Sequence, residues 1–318
     1  MKKIDLNRSP SFDEEEINFQ ELLYILLKEK KSIIIFTTFL SISALIYSFS
    51  LPNIYESKAL LNPMQQQDNI SSTLESLGGL ASIAGIGIPG INQENNAQKA
   101  KEKLNSLSFF ENEIMPSIFL PNLMALDYWD HYTNKIFYDD DIYNQNSDLW
   151  VRDFSYPQKQ IPSPQESFEV FHKDHLKISE DKQTGFITIA VKHESPYIAN
   201  QWTELIVSKI NAFYRDKDKR EAEKAILFLN SQLNKTSLSE IKLALVELLQ
   251  VEIKKLTLVE AKELYVFDYI DPSVVMEEKE SPNRIMIVFL GAIIGAFIGI
   301  LFVLIRQINL KNTELETL

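Results

Sequence analysis

The stretch SPNRIMIVFLGAIIGAFIGILFVLIRQ, Ser281 to Gln307, governs how the whole chain is organised. Within it, Ile285 to Ile305 is an unbroken apolar run held between Arg284 and Arg306. A bilayer core about 30 Å thick is crossed by about 20 helical residues, and the run has that length. A second run lies upstream. SIIIFTTFLSISALIYSFSL, Ser32 to Leu51, carries no charge and follows Lys28, Lys30 and Lys31. It is too long, begins too far into the chain and ends in too poor a small-residue site for a cleaved signal peptide. The sequence therefore predicts two retained spans, 32–51 and 285–305.

Two spans place both ends of the chain on one side. Basic residues collect on cytoplasmic flanks. Lys2, Lys3, Arg8, Lys28, Lys30 and Lys31 precede the first run, and Arg306 and Lys311 follow the second. After Pro52 the next stretch offers Lys58 alone. Residues 1–31 and 306–318 are expected to be a cytoplasmic segment and a cytoplasmic tail, with Pro52 to Asn283 outside. With 44 acidic against 32 basic residues the chain is acidic, and it shows no basic stripe of the kind a nucleic-acid binder needs. It has no cysteine, which removes thiolate metal sites and thiol nucleophiles.

The outer segment reads as a mixed domain. MKKIDLNRSPSFDEEE before the first span is polar and expected to be disordered. Ile17 to Leu27 has the spacing of a short interfacial helix. After the span, Ile54 to Pro63 alternates as a strand, with Ile54, Glu56, Lys58 and Leu60 on one side and Tyr55, Ser57, Ala59 and Leu61 on the other. Beyond the polar QQQDNISS, Leu74 to Ile91 is small and greasy, with Gly78, Gly79, Gly85, Gly87 and Gly90. It lacks the GxGxxG spacing, so close backbone packing explains it better than a phosphate cradle. Ala97 to Ile114 has helical spacing through Ala100, Leu104, Leu107 and Ile114. Pro116 to Pro164 reads as irregular and rich in rings; flat rings stack on sugars, but filling a core is the preferred reading.

A hairpin follows, with Leu176 and Ile178 before the turn EDKQTG and Ile187, Ile189 and Val191 after it. Ser195 and Pro196 then open a helix as cap and first residue. No Pro or Gly interrupts Tyr197 to Asp271. Ser237 and Glu240 form a capping-box pattern, which divides the stretch into helices over about 197–234 and 238–263. At 1.5 Å per residue these are roughly 55 Å and 40 Å long. Leu238, Ile241, Leu245, Leu248, Leu256 and Val259 form the seam of the second, and the charged run Arg215 to Lys224 is expected on the solvated side of the first. LYVFDYID, Leu264 to Asp271, is another strand. The first and last strands of the domain are both tied to spans, and pairing them would close the domain at its base. The fold class is thus α+β: two transmembrane helices flanking a mixed α/β base with a long protruding helical hairpin. The base takes 52–195 and a return strand with a Pro-containing linker over 264–284; the hairpin takes 196–263.

Chemistry is sparse. His172 and His175 are three apart and would share a helix face, but the segment just before Leu176 reads as a loop leading into a strand, and no third ligand accompanies them. Asp139 to Asp141 lack the alternating ligands and glycine of a calcium loop. No serine nucleophile elbow occurs. No catalytic, cofactor or metal residue is assigned.

The second span carries Gly291, Gly295 and Gly299, four apart on one helical face, where small residues let helix backbones approach inside lipid. Ser281-Pro282 followed by Gly295 and Gly299 resembles the proline-and-glycine motif at the second span of polysaccharide co-polymerases, the Wzz-type chain-length determinants. The order of parts along the whole chain resembles that family too, including the segment LGGLASIAGI. Asn283 stands where a basic residue usually follows the Ser-Pro, and Arg284 comes next.

The resemblance implies a role without catalysis or cofactor. Such proteins assemble as homo-oligomeric rings in the bacterial inner membrane, with their main domain in the periplasm. There they set the length of an O-antigen-like surface polysaccharide built on a lipid carrier by a separate polymerase. Pro282, Gly291, Gly295 and Gly299 are then helix-packing or oligomer contacts, and the growing lipid-linked polysaccharide is a candidate partner. RQINLKNTELETL after the second span has no nucleotide loop and no tyrosine cluster, which points to the kinase-free branch. The alternative is a two-span adaptor that activates a separate cytoplasmic tyrosine kinase in capsule or exopolysaccharide synthesis. An extracytoplasmic sensor is a weaker third reading, because no output domain is evident.

Overall fold

The computed structural model describes residue 24 and residues 26–64 and 96–316. The polar start, most of the Ile17–Leu27 helix, QQQDNISS and the glycine segment 74–91 lie outside the described residues. The chain forms two compact units, residues 53–281 and the two terminal segments 1–52 and 282–318.

The 53–281 unit is built on a four-stranded antiparallel sheet. Its strands are β1 (Tyr55–Pro63), β6 (Leu176–Glu180), β7 (Ile187–His193) and β8 (Phe267–Asp271), in the order β6-β7-β1-β8. The first and last strands do pair: Leu61 lies opposite Tyr269 and Pro63 opposite Phe267. At the other end of β1, Ile54 N–H donates to the Ser281 carbonyl at 2.9 Å and Glu280 N–H to the Ile54 carbonyl at 2.8 Å. The alternation of β1 is as expected, with Ser57, Ala59 and Leu61 buried. Glu56, on the opposite face, is buried as well, with Lys58 at 3.2 Å and Lys192 at 3.4 Å.

One face of the sheet is covered by the first half of a 40-residue helix, α6 (Pro196–Lys235). Ala199, Trp202, Ile206, Val207 and Ile210 are buried at three- and four-residue steps, the stripe a helix needs to lie on a sheet. They meet Ile189, Val191, Phe109, Phe110, Phe171 and Phe267 in one core. Asn211 fastens the helix to the return strand. Its side-chain oxygen accepts from the N–H groups of Tyr265, Val266 and Phe267, and its amide donates to the carbonyls of Val207 and Phe267. Every hydrogen-bonding site on that buried amide is used.

The far half of α6 packs on α7 (Ser239–Ala261) as the expected helical hairpin. The seam differs from its pattern. Leu245 and Val259 are buried, but Leu238 and Ile241, nearest the turn, are exposed. The capping box does not form: the residue before α7 is Leu238, and no side chain caps it. Within the charged run, Asp218 is buried rather than solvated and accepts from the Tyr265 hydroxyl at 2.6 Å.

Three other elements correct the sequence expectation. The helix expected over 97–114 breaks after α2 (Asn96–Leu104). Ser106 caps a new turn, α3 (Leu107–Phe109), by accepting from Phe109 N–H at 3.3 Å, and a wider π-helical turn then carries Phe110 to Ile114. The apolar spacing runs through the break, which hid it; Leu107 is exposed and Phe109 and Phe110 take its place inside. The segment 116–164 holds the short helix α4 (Pro121–Met124) and two short hairpins, β2 (Leu126–Asp130) with β3 (Lys135–Tyr138) and β4 (Tyr143–Asn144) with β5 (Leu149–Trp150). Their turns pass through Asn134 and Asp148 at positive φ, which Asn and Asp tolerate better than other side chains. After α5 (Pro164–Val170), the HKDH segment before β6 is one helical turn, Phe171–His175, rather than a loop.

In the other unit, α1 (Lys30–Ser50) and α8 (Arg284–Glu316) are both long and apolar enough to cross a membrane. α8 continues past Arg306, because no Gly or Pro stops it in the tail.

Candidate functional site

The glycine motif of α8 lies on the face that meets α1. The two helices pack antiparallel, with Gly291 against Ala44 and Leu40, Gly295 against Thr37 and Phe36, and Gly299 against Ile33. The contacts are close. A Cβ at Gly291 would stand 2.6 Å from Ala44 Cβ, and one at Gly295 would stand 2.8 Å from Thr37 Cα and 3.0 Å from the Phe36 carbonyl oxygen. At Gly299 it would be 3.0 Å from Ile33 Cα. Real Cβ atoms essentially never come as close as those at Gly291 and Gly295 would, and the one at Gly299 would be tight, so the glycines permit this distance between the helices. Hydroxyls on α1 return to the helix's own carbonyls: Thr37 to Ile33 at 2.9 Å, Ser41 to Thr37 at 2.8 Å and Ser43 to Phe39 at 2.9 Å. This satisfies them in an apolar setting.

The ends of the pair are fixed by polar contacts. Asn283, the residue that departs from the expected motif, caps α8: its side-chain oxygen accepts from Met286 N–H at 3.2 Å and its carbonyl from Ile287 N–H at 3.2 Å. Pro282 stands just before this cap. The Arg284 guanidinium lies 4.9 Å from the centre of the Phe49 ring, and Arg306 lies 3.7 Å from Glu29.

A second feature lies in the 53–281 unit and was not read from the sequence. His193 is fully buried beside Trp202 and His175, with the two imidazoles 5.7 Å apart. Ser195 N–H donates to His193 Nδ1 at 2.9 Å. Nε2 must then carry the proton, and it donates to the Asn122 carbonyl at 3.1 Å. Burial pushes the His193 pKa down to about 4, with the neighbouring His175 acting in the same direction. His175 donates from Nδ1 to the Lys192 carbonyl at 2.7 Å, and burial lowers its pKa too. Ser195 is thus the residue before α6, as expected, but its side chain makes no cap. Both histidines line a cavity of about 440 Å³ with Asn122, Asp174, Lys192 and Glu194. His172, three residues before His175, contacts Asn105 Oδ1 at 3.0 Å. Among the described residues no group of three or more His, Cys, Asp or Glu could hold a metal ion.

Comparison with known proteins finds one family. The family model described as "Wzz: Chain length determinant protein" matches residues 15–114. A search of curated proteins returns no significant match. Among solved structures the chain is similar to a full-length bacterial polysaccharide co-polymerase, at 14% identity and TM-score 0.40, covering 93% of this chain and 99% of that one. It is similar to a fragment of the polysaccharide co-polymerase WzzB from Salmonella Typhimurium, at 10% identity and TM-score 0.31, covering 72% of this chain and 100% of that one. It is also similar to a point mutant of the lipopolysaccharide O-antigen chain-length regulator WzzB of Shigella flexneri. That match has 10% identity and TM-score 0.24 and covers 71% of this chain and 100% of that one. Residues 15–114 are thus similar to the chain length determinant family that the sequence resembles.

Proposed function

We propose that the chain is a non-catalytic, oligomeric regulator of surface polysaccharide chain length in a bacterial inner membrane. It acts with a separate polymerase, its two ends lie in the cytoplasm and residues 53–281 lie in the periplasm. The observation that carries this reading is the match of residues 15–114 to the chain length determinant family. The antiparallel apolar pair and the α/β base with its helical hairpin support it. So do Leu227, Phe228, Leu238 and Leu243 on the hairpin, which are large, apolar and exposed; apolar surface of this kind marks contact with another protein. In this reading Pro282, Gly291, Gly295 and Gly299 act first within one subunit, holding its two spans at a fixed spacing, and contacts between subunits or with the polymerase use the remaining faces.

The test is the length distribution of surface polysaccharide in the native host. Deleting the gene is expected to broaden or shift the modal length on a gel. A ladder identical to that of the parent strain overturns the proposal.

A further inference from the structure

The small hairpin β2–β3 carries more aromatic surface than its packing uses. Alternation places its residues on two faces. On the inner face Trp129 meets Tyr55 edge-on at 5.6 Å, and Ile136 is half-buried opposite it. On the outer face Tyr128 and Phe137 are cross-strand partners, stacked at 4.6 Å and 12°. They remain 47% and 38% exposed. The next pair on that face is Asp130 with Lys135. Asp130 accepts from Tyr132 N–H and from the Thr133 hydroxyl, which fixes the turn, and the turn presents Tyr132 88% exposed beside His131. The outer face is thus a strip of rings with hydroxyls and charged groups at its edges, and no contact among the described residues explains it.

We infer that this face binds an uncharged saccharide. Ring faces and edges offer dispersion contacts to the C–H groups of a pyranose, and the phenol, carboxylate and ammonium groups beside them can exchange hydrogen bonds with its hydroxyls. Charge selects this occupant over an anionic phospholipid surface or an anionic polymer. Asp127, Asp130, Asp139, Asp140 and Asp141 lie on or beside the hairpin, against Lys135, and such a field repels anions. The inference rests on the proposed function for its source of saccharide, the polymer whose length is being set. It adds to that reading a surface on the base that touches the polymer.

The test is hydrogen exchange of the full-length protein in nanodiscs, with and without the host's delipidated surface polysaccharide. Residues 126–138 are expected to exchange more slowly when the polysaccharide is added. The double variant Tyr128→Val with Phe137→Val keeps a β-branched cross-strand pair, so the hairpin persists without its rings. It is expected to melt like the parent and to bind about tenfold more weakly, as befits the loss of two ring contacts. Should that variant unfold, Tyr132→Ser at the exposed turn is the second probe, with a several-fold loss expected. Unchanged exchange on adding polysaccharide overturns the inference, as does equal binding by a folded variant. So does slower exchange on moving from detergent to nanodisc with no response to polysaccharide, which would make the hairpin a lipid contact. The deletion ladder is read independently of all of these, so a shifted ladder with no binding sinks this inference alone.

Discussion

Among single residues, Asn211 and His193 carry the most testable chemistry. Asn211→Ala removes the acceptor shared by the N–H groups of Tyr265, Val266 and Phe267 and the side-chain donor to the Phe267 carbonyl. Unpaired buried groups are expensive, so a loss of about 3 kcal/mol or more is expected in denaturant unfolding. For His193 the folded pKa of about 4 lies below the ordinary value of 6.5, so the unfolded chain binds the proton first as the pH falls. This contribution is intact above about pH 6.5 and is lost progressively down to about pH 4. About 3 kcal/mol is at stake, from roughly 1.4 kcal/mol per pKa unit. His175 is shifted in the same direction and steepens the loss. Melting temperature measured from about pH 7 to about pH 4 is expected to fall, and His193→Gln to flatten the slope. Neither residue was legible in the sequence. A buried histidine and a buried asparagine look like surface residues until the fold brings a carbonyl or a run of free N–H groups to them.

Between elements, two contacts of similar appearance are expected to differ. Tyr265→Phe removes the hydroxyl that Asp218 accepts from within the buried root, and is expected to destabilise by about 1–2 kcal/mol. Lys219 and Glu260 join the hairpin arms at 2.9 Å but are largely exposed; Lys219→Ala is expected to change stability by no more than about 0.5 kcal/mol. In the apolar unit, Gly295→Leu must push α8 off the Thr37 backbone. It is expected to lower the melting temperature in detergent by several degrees, whereas Phe297→Leu on the exposed face leaves it unchanged. Equal melting of the two variants would show that the glycine face does not hold the spans together. The long elements were legible because their signals are long: two unbroken apolar runs, the alternation of β1, and a stretch from Tyr197 onward with no breaker. The short ones were not. The break at Asn105–Ser106 preserves the helical spacing of buried residues, and β2 to β5 are too brief for alternation to stand out. The capping box at Ser237 and Glu240 was a pattern the chain does not use.

For the molecule as a whole, each long apolar run is followed or preceded by a strand, and those two strands pair. That the glycines of α8 face the chain's own first apolar helix required the structure. The proposed role as a length regulator concerns a population of polymers, so it is measured on that population. In the native host, the gene is deleted and then returned on a plasmid, and surface polysaccharide is resolved by size on a gel. The parent's modal length is expected to be lost on deletion and regained on return of the wild-type chain. A distribution that stays the same through deletion and return would rule the role out.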